Sequence, residues 1–141
     1  MKILEDAAIW SLLRPRVTHR LPGRLRLRVP LLRKLPDEWL QTAQILEQVM
    51  CSPEGIRSVQ SSRPTGSVLV EYDPDTLSEA DVLSFLRILL ELLWRHRDRL
   101  ASLNNGQAAE LARRLEEWVH EHTRFRPVID SSTDIPDELW T

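Results

Sequence analysis

An arginine occupies every second position in one short segment of the chain, at Arg24, Arg26 and Arg28, and aliphatic residues lie between them. Strict alternation predicts a half-buried β-strand, because successive side chains of a strand point to opposite faces of the sheet. The three guanidinium groups, here called the arginine stripe, then project together from the open face, about 7 Å apart. Guanidinium groups bind carboxylates and phosphates, so the stripe predicts a site for an anionic ligand or an acidic partner. Three residues just before it complete the predicted site: His19, Arg20 and Gly23.

The charge distribution fits a partner of opposite charge, but it also allows pairing within the chain. Residues 1–35 hold nine basic and two acidic residues, whereas the other 106 hold ten basic and nineteen acidic ones, for a net charge of −2. Such asymmetry indicates either an anionic partner for the first segment or ion pairs between the two parts. The alternative to a binding site is therefore a solvated face, or one neutralised by Glu71 or by the acidic C-terminal residues.

Residues that bind metals or act as nucleophiles are few. The single cysteine, Cys51, excludes an internal disulfide and a zinc site made of cysteines, and its place after an apolar helical pattern predicts a small buried residue. His120 and His122 would point in different directions on a helix, and His96 lies among arginines. That leaves His19 as the one histidine to consider as a ligand, in a site shared between chains. No glycine-rich phosphate loop or nucleophile motif occurs, so we predict no enzyme, no metal site and no cofactor.

The sequence predicts a cytoplasmic protein. No stretch approaches the roughly 20 apolar residues that cross a bilayer. Glu5 and Asp6 interrupt the apolar pattern of the N-terminus, whereas a secretory signal has an uninterrupted apolar run. A single cysteine is also typical of a compartment in which disulfides are rare.

Hydrophobic periodicity predicts the elements that must position the stripe. The strand that carries it lies within residues 17–29, where Pro22-Gly23 predicts a bulge or kink at a sheet edge. Ser78 and Asp81 mark a helix start with a capping box. The other predicted elements are a loop at 31–35, a helix from 36 to 50, strands at 56–61 and 67–72 joined by a turn at 63–66, and helices at 79–102 and 107–123.

The helix predicted over residues 79–102 is apolar around much of its circumference. One sheet cannot cover so wide an apolar surface, so another helix or another chain must bury the rest. The helix predicted at 107–123 is the obvious cover within the chain. Residues of the long helix also predict self-association or docking to a protein partner, through Phe85, Ile88, Leu89, Leu92 and Trp94.

Segments outside this central pattern complete the predicted organisation. Residues 3–13 predict a short amphipathic helix, and residues 125–129 a late strand. The acidic end of the chain predicts a mobile tail, with isolated apolar anchors at Ile135, Leu139 and Trp140. The predicted units are an N-terminal amphipathic segment at 1–16, the main domain at 17–103, an extra helix with the late strand at 104–130, and a flexible acidic tail at 131–141.

The order of elements predicts an α+β fold of the ferredoxin-like type, βαββα with a further late strand, in which two helices cover one face of an antiparallel sheet. The segment from His19 to Arg28 resembles the opening of the divergent heavy-metal-associated domains, a second subgroup related to copper-chaperone-like domains. The segments at 55–59 and 65–73 are similar to the middle hairpin of that family. The resemblance covers about residues 17–94.

This resemblance implies an accessory or interaction domain in bacterial metal homeostasis. Members resemble the N-terminal regions of metal-transporting P-type ATPases and small bacterial proteins associated with iron handling. Metal-carrying members hold their ion with two cysteines, separated by two residues, in the loop after the first strand. The corresponding stretch here, residues 30–36, contains no cysteine and no histidine. A soft metal ion needs thiolates or imidazoles, so we expect this chain not to carry the metal of its relatives.

Two other classes of partner remain as alternatives to an anionic ligand or an acidic protein. Ferredoxin-like sheets with a basic open face also form RNA-recognition domains, but those stack bases on aromatic residues, and residues 67–72 lack that pattern. The helix predicted at 3–13, with the arginines that follow, could instead place the chain on a membrane surface. Glu5 and Asp6 on that helix oppose this alternative.

Overall fold

The computed structural model of the chain describes residues 14–34, 40–122 and 135–140. They form an α+β fold in which a four-stranded antiparallel sheet carries helices on one face, which confirms the predicted class. The strands are β1 (Arg16–Leu21), β2 (Arg24–Arg28), β3 (Ile56–Ser62) and β4 (Ser67–Tyr72). The helices are α1 (Pro30–Lys34), α2 (Leu40–Met50), α3 (Glu79–Arg95), α4 (Arg97–Ala101) and α5 (Asn105–His122), followed by a 3-10 turn at Asp137–Trp140.

The Pro22-Gly23 pair is a hairpin turn and not the predicted kink within one strand. It separates β1 from β2, which pair antiparallel with Leu21 opposite Arg24. Gly23 has a φ of 77°, a left-handed value that glycine adopts without a steric penalty, and proline suits the preceding turn position. A bulge does occur, but within β1, where the register shifts between Val17 and His19.

The sheet order β1-β2-β4-β3 places β1 at one edge, beside the strand that carries the arginine stripe. In a complete βαββαβ arrangement, the last strand of the chain returns to this edge position. Here the position is filled from the N-terminal side, because a two-residue turn brings β1 against β2 at a small cost in loop entropy. The late strand predicted at 125–129 lies outside the described residues.

The core lies between the sheet and the helices. The inward residues of β2, Leu25 and Leu27, are fully buried, as are Val68 and Val70 of β4. The start of α3 is as predicted: the Asp81 amide donates to the Ser78 hydroxyl at 3.1 Å, and the Ser78 amide donates to the Asp81 carboxylate at 3.0 Å. This capping box satisfies two backbone donors that the first turn of a helix leaves free.

The long helix predicted over 79–102 is divided in two. The backbone leaves helical geometry at His96, which ends α3 and begins α4. The change of direction lets Leu100 pack into the core, where it is 1% exposed. The eight buried residues of α3 explain why its sequence is apolar on several sides: the chain itself covers them.

The extra helix, α5, packs mainly on α2 and not, as predicted, on α3. Its buried stripe faces the body of the protein, and the Gln48 amide on α2 donates to Glu116 on α5 at 3.0 Å. The sequence pattern of α5 shows that one face must be buried, but it does not show against which neighbour. The stripe consists of Ala108, Leu111, Ala112, Leu115 and Val119.

The described part of the C-terminal tail packs against the helices, which differs from the predicted mobile tail. Ile135 is buried, and the Leu139 carbonyl lies 3.4 Å from the Arg114 guanidinium on α5. The Trp140 ring lies under the Arg99 guanidinium at 4.3 Å and beside the His96 ring at 5.3 Å. These isolated apolar residues act as anchors although the segment has an acidic composition.

Two further segments can be compared with the predictions. The loop predicted at 31–35 begins as the short helix α1, which buries Leu31 and Leu32. The amphipathic helix predicted at 3–13 lies outside the described residues. Within the part of the chain that the structure describes, no helix combines the length and apolar character needed to cross a bilayer.

Candidate anion and partner interface

The arginine stripe lies on the open face of the sheet, as the alternation predicts. Leu25 and Leu27 are 0% exposed beneath the helices, while the arginines on either side of them are exposed. The burial of the leucines therefore fixes the direction of the arginines, because a strand cannot turn one set of side chains without turning the other.

Neighbouring strands add further residues to this face. Arg26 lies directly opposite His19 on β1 and Leu69 on β4. Arg28 lies opposite Arg16, whose side chain therefore joins the stripe across the strands. Sequence analysis missed Arg16, because its place on this face depends on the hairpin turn and also on the bulge between Val17 and His19, which reverses the alternation of β1.

The stripe is not neutralised within the described residues. Glu71 lies opposite Arg24 across β2 and β4, yet neither it nor any other described carboxylate forms an ion pair with the stripe or with Arg16. The described part of the acidic tail packs on α5, in the helical layer. Pairing with Glu71, which the sequence left open as an alternative, is therefore not observed.

A shallow depression of about 650 Å³ lies over the stripe and opens to solvent. Its polar lining includes the stripe itself and the hydroxyls of Thr65 and Ser67, which lie 2.7 Å apart. Leu21 and Leu69 contribute an apolar part. Charged and hydroxyl donors around such a depression can hold an anion by charge-assisted hydrogen bonds, while the leucines offer contact to aliphatic groups.

Two of the predicted site residues lie away from the stripe. Arg20 alternates with His19, so its side chain points toward the helical side, where the guanidinium pairs with Glu79 of α3 at 3.0 Å. Gly23 lies in the hairpin turn, and its carbonyl accepts a hydrogen bond from the Tyr72 amide at 2.9 Å. The described geometry thus gives both residues structural contacts, whereas His19 remains on the open face.

The residues predicted for self-association are already covered by the chain. Four of them are between 1% and 3% exposed in the core: Phe85, Ile88, Leu89 and Leu92. Trp94 is half-buried, and the Arg97 guanidinium lies 4.2 Å over its ring. They therefore present little free surface, and self-association through them remains a prediction.

The residues that replace the metal-binding loop do not fit a soft metal ion. The stretch after β2 forms α1, where Leu31 and Leu32 pack inward in place of thiolates. Among the described residues, no group of three or more histidine, cysteine, aspartate or glutamate side chains could hold an ion. A tetrahedral zinc site requires such donors to converge on the ion.

Cys51 is the single thiol of the chain. It follows α2 and is exposed, in contrast to the predicted buried position. Partial desolvation raises the pKa of the thiol, the carboxylates of Glu116 and Glu47 add to this effect, and the Val59 amide opposes it. A thiol with a raised pKa is less often a thiolate, which is the form that binds metal.

The fold and the face together define a class: a ferredoxin-like α+β domain with a basic open sheet face and no cysteine pair in the stretch after β2. A family model described as heavy metal associated domain 2 matches residues 15–133, and the chain belongs to this family. Domains of this family are typically non-catalytic modules for metal binding or interaction. The matched region extends through α5, beyond the 17–94 range of the resemblance. No curated protein and no solved structure matches the chain.

Proposed function

We propose that this chain is a non-catalytic interaction module of a bacterial metal-handling system, which binds an acidic protein partner across the open face of its sheet. The observation that carries the proposal is the exposed group formed by Arg16, Arg24, Arg26 and Arg28. None of these residues has an ion pair among the described residues. Sequence, fold and charge therefore agree on one surface.

Electrostatic magnitudes favour an anionic partner over a neutral one. Two guanidinium groups about 7 Å apart repel each other by about 0.6 kcal/mol in water, a cost that an exposed surface tolerates. A neutral partner that excluded water would raise this to about 2 kcal/mol for each neighbouring pair, because the effective dielectric constant falls. A partner that brings carboxylates removes this penalty and gains charge-assisted hydrogen bonds.

Membership of the heavy metal associated family supports the context of metal handling. The chain would serve that context through protein contacts, since α1 offers leucines where a metal-carrying relative offers cysteines. The resemblance to small bacterial iron-handling proteins makes iron the metal system to examine first. A cytoplasmic location is part of the proposal and is supported by the single cysteine.

The first prediction compares two charge reversals that change the net charge equally. Arg26→Glu lies on the open face, whereas Arg87→Glu lies on the exposed side of α3, where Arg87 has only a 4.0 Å contact with Glu91. We expect Arg26→Glu to weaken binding of a synthetic glutamate-rich peptide at least roughly tenfold, since it loses an attraction and adds a repulsion. Fluorescence anisotropy at low and physiological salt measures the dissociation constants.

The Arg87→Glu variant is the control for the change in net charge. Arg87→Glu should bind the peptide within about twofold of the unchanged protein, because long-range charge effects are screened within about 8 Å at physiological salt. If both variants lose affinity equally, net charge alone attracts the peptide. The open face would then not be a specific binding surface.

A further inference from the structure

We propose that the outer edge of β1 accepts an extended acidic segment of the partner, which pairs with it as a fifth strand of the sheet. This inference rests on the proposed function and specifies how the partner is bound. It adds backbone hydrogen bonds to the attraction between the partner and the arginine face. The two edges of the sheet differ in a way that supports it.

The outer edge of β3 is closed by a side chain from α2. The Ser61 amide donates to the Glu47 carboxylate at 2.7 Å, and the Ser61 hydroxyl donates to the same oxygen. The Glu47 carboxylate therefore occupies an outward backbone donor of β3. A further strand could not pair here without displacing it.

The outer edge of β1 has no such cover among the described residues. Of the strands that the structure describes, β1 is the terminal one at this side, and it pairs with β2 alone. Five of its six residues are exposed, and no described backbone or side-chain group bonds to its outer side. An edge strand of this kind presents unpaired amides and carbonyls to which an extended chain can bind.

The side chains of β1 select the strand that can pair there. If two molecules paired through β1, Arg16 and Arg20 of one copy would lie near the same arginines of the other, and like charges on neighbouring strands destabilise a sheet. Together with the bulge near Thr18, these charges disfavour self-pairing. A strand with acidic residues at alternate positions would instead place its carboxylates beside Arg16 and His19.

An apolar contact near the hairpin turn refines the description of this partner. Among the described residues, Leu21 is the large hydrophobic residue that lies exposed, at 52%. It lies on the same face as His19 and Arg24, and it lines the depression over the stripe. The matching segment is therefore acidic at alternate positions and aliphatic where it passes Leu21.

The test uses a synthetic peptide of about eight residues, the length of an ordinary strand, with glutamate at alternate positions and a valine in place of the last glutamate, on the same face, to meet Leu21. Two N-methylated versions of the peptide are compared. In one, methyl groups block the amides that point to one edge of the peptide strand, and in the other they block the amides that point to the opposite edge. We expect methylation on one side to weaken binding roughly five- to tenfold for each blocked amide, and methylation on the other side to leave it nearly unchanged. Hydrogen exchange should also slow at β1 amides of the full chain and not at those of β3.

The outcomes separate this inference from the proposed function. The edge pairing is wrong if the two methylated peptides bind with equal affinity, whether both are weakened or neither is. If Arg26→Glu still abolishes binding in that case, the proposal of an acidic partner stands. If Arg26→Glu binds the unmodified peptide as tightly as the unchanged chain, the proposed function itself fails. If a single-stranded RNA of equal charge binds as tightly and is equally sensitive to Arg26→Glu, the occupant is not an acidic strand.

Discussion

At the scale of single residues, the local roles follow from backbone geometry and neighbouring atoms. Gly23 is the clearest case, since its φ is left-handed and its carbonyl holds the Tyr72 amide. A Cβ atom at this position would lie 2.8 Å from the Tyr72 carbonyl oxygen, which is backbone and cannot move aside cheaply. The turn that creates β1 therefore depends on a residue without a side chain.

Gly23→Ala should lower the free energy of unfolding by about 1–3 kcal/mol, because alanine is strained at positive φ and would collide with β4. Gly106→Ala is the matched control, since its Cβ would have only an ordinary 3.5 Å neighbour at the start of α5. That change should stabilise the chain by about 0.5 kcal/mol. Urea unfolding measures both, and equal effects would contradict the role assigned to the turn.

The arginine stripe and Glu47 show what a residue type can and cannot predict. Arginine at every second position, with leucine between, indicates direction as well as charge, because burial of the leucines leaves one side for the guanidinium groups. Glu47 carries no such local signal: its contact with Ser61 joins a helix to a strand fourteen residues away. Its role depends on tertiary packing and could not be predicted.

At the scale of elements, the boundaries that could be predicted are those marked by capping or turn residues. The capping box at Ser78 fixes the start of α3, and the turn at 63–66 fixes the hairpin of β3 and β4. The break at His96 has no glycine or proline to mark it, so the sequence predicted one long helix. The partner of α5 also depends on three-dimensional packing, which a hydrophobic stripe does not specify.

Ser78→Ala removes the side chain that accepts from the Asp81 amide, so we expect the free energy of unfolding to fall by about 1 kcal/mol. Ser102→Ala is the comparison at the other end of this helical region, where the exposed hydroxyl donates to the Arg99 carbonyl. It should change stability by no more than about 0.5 kcal/mol. Thermal unfolding followed by circular dichroism separates the two; similar losses would argue against the capping role.

At the scale of the whole molecule, the C-terminal residues that the structure describes, 135–140, pack on the helices. Ile135 is buried, and Trp140 lies between the Arg99 guanidinium and the His96 ring. Acidic composition suggested a mobile tail, but the few large apolar residues in it find contacts on the helices. The composition of a segment is an average over its residues, whereas the attachment of this tail to the helices depends on a few apolar side chains.

Trp140→Ala should lower the free energy of unfolding by about 2 kcal/mol, since it loses apolar burial and the contact with Arg99. Asp137→Ala changes an exposed residue of the same 3-10 turn and should have almost no effect. Guanidinium titrations of both variants give the comparison. An unchanged midpoint for Trp140→Ala would mean that the tail does not contribute to the fold.

The hairpin of β1 and β2 has a consequence for biosynthesis. A ribosome makes these two strands before β4, and the short turn between them lets them pair while the rest of the sheet is still untranslated. A strand with two unpaired edges is a template for aggregation, and pairing with β1 leaves β2 with one unpaired edge. The first neighbouring strand of β2 therefore comes from the segment just before it in the chain.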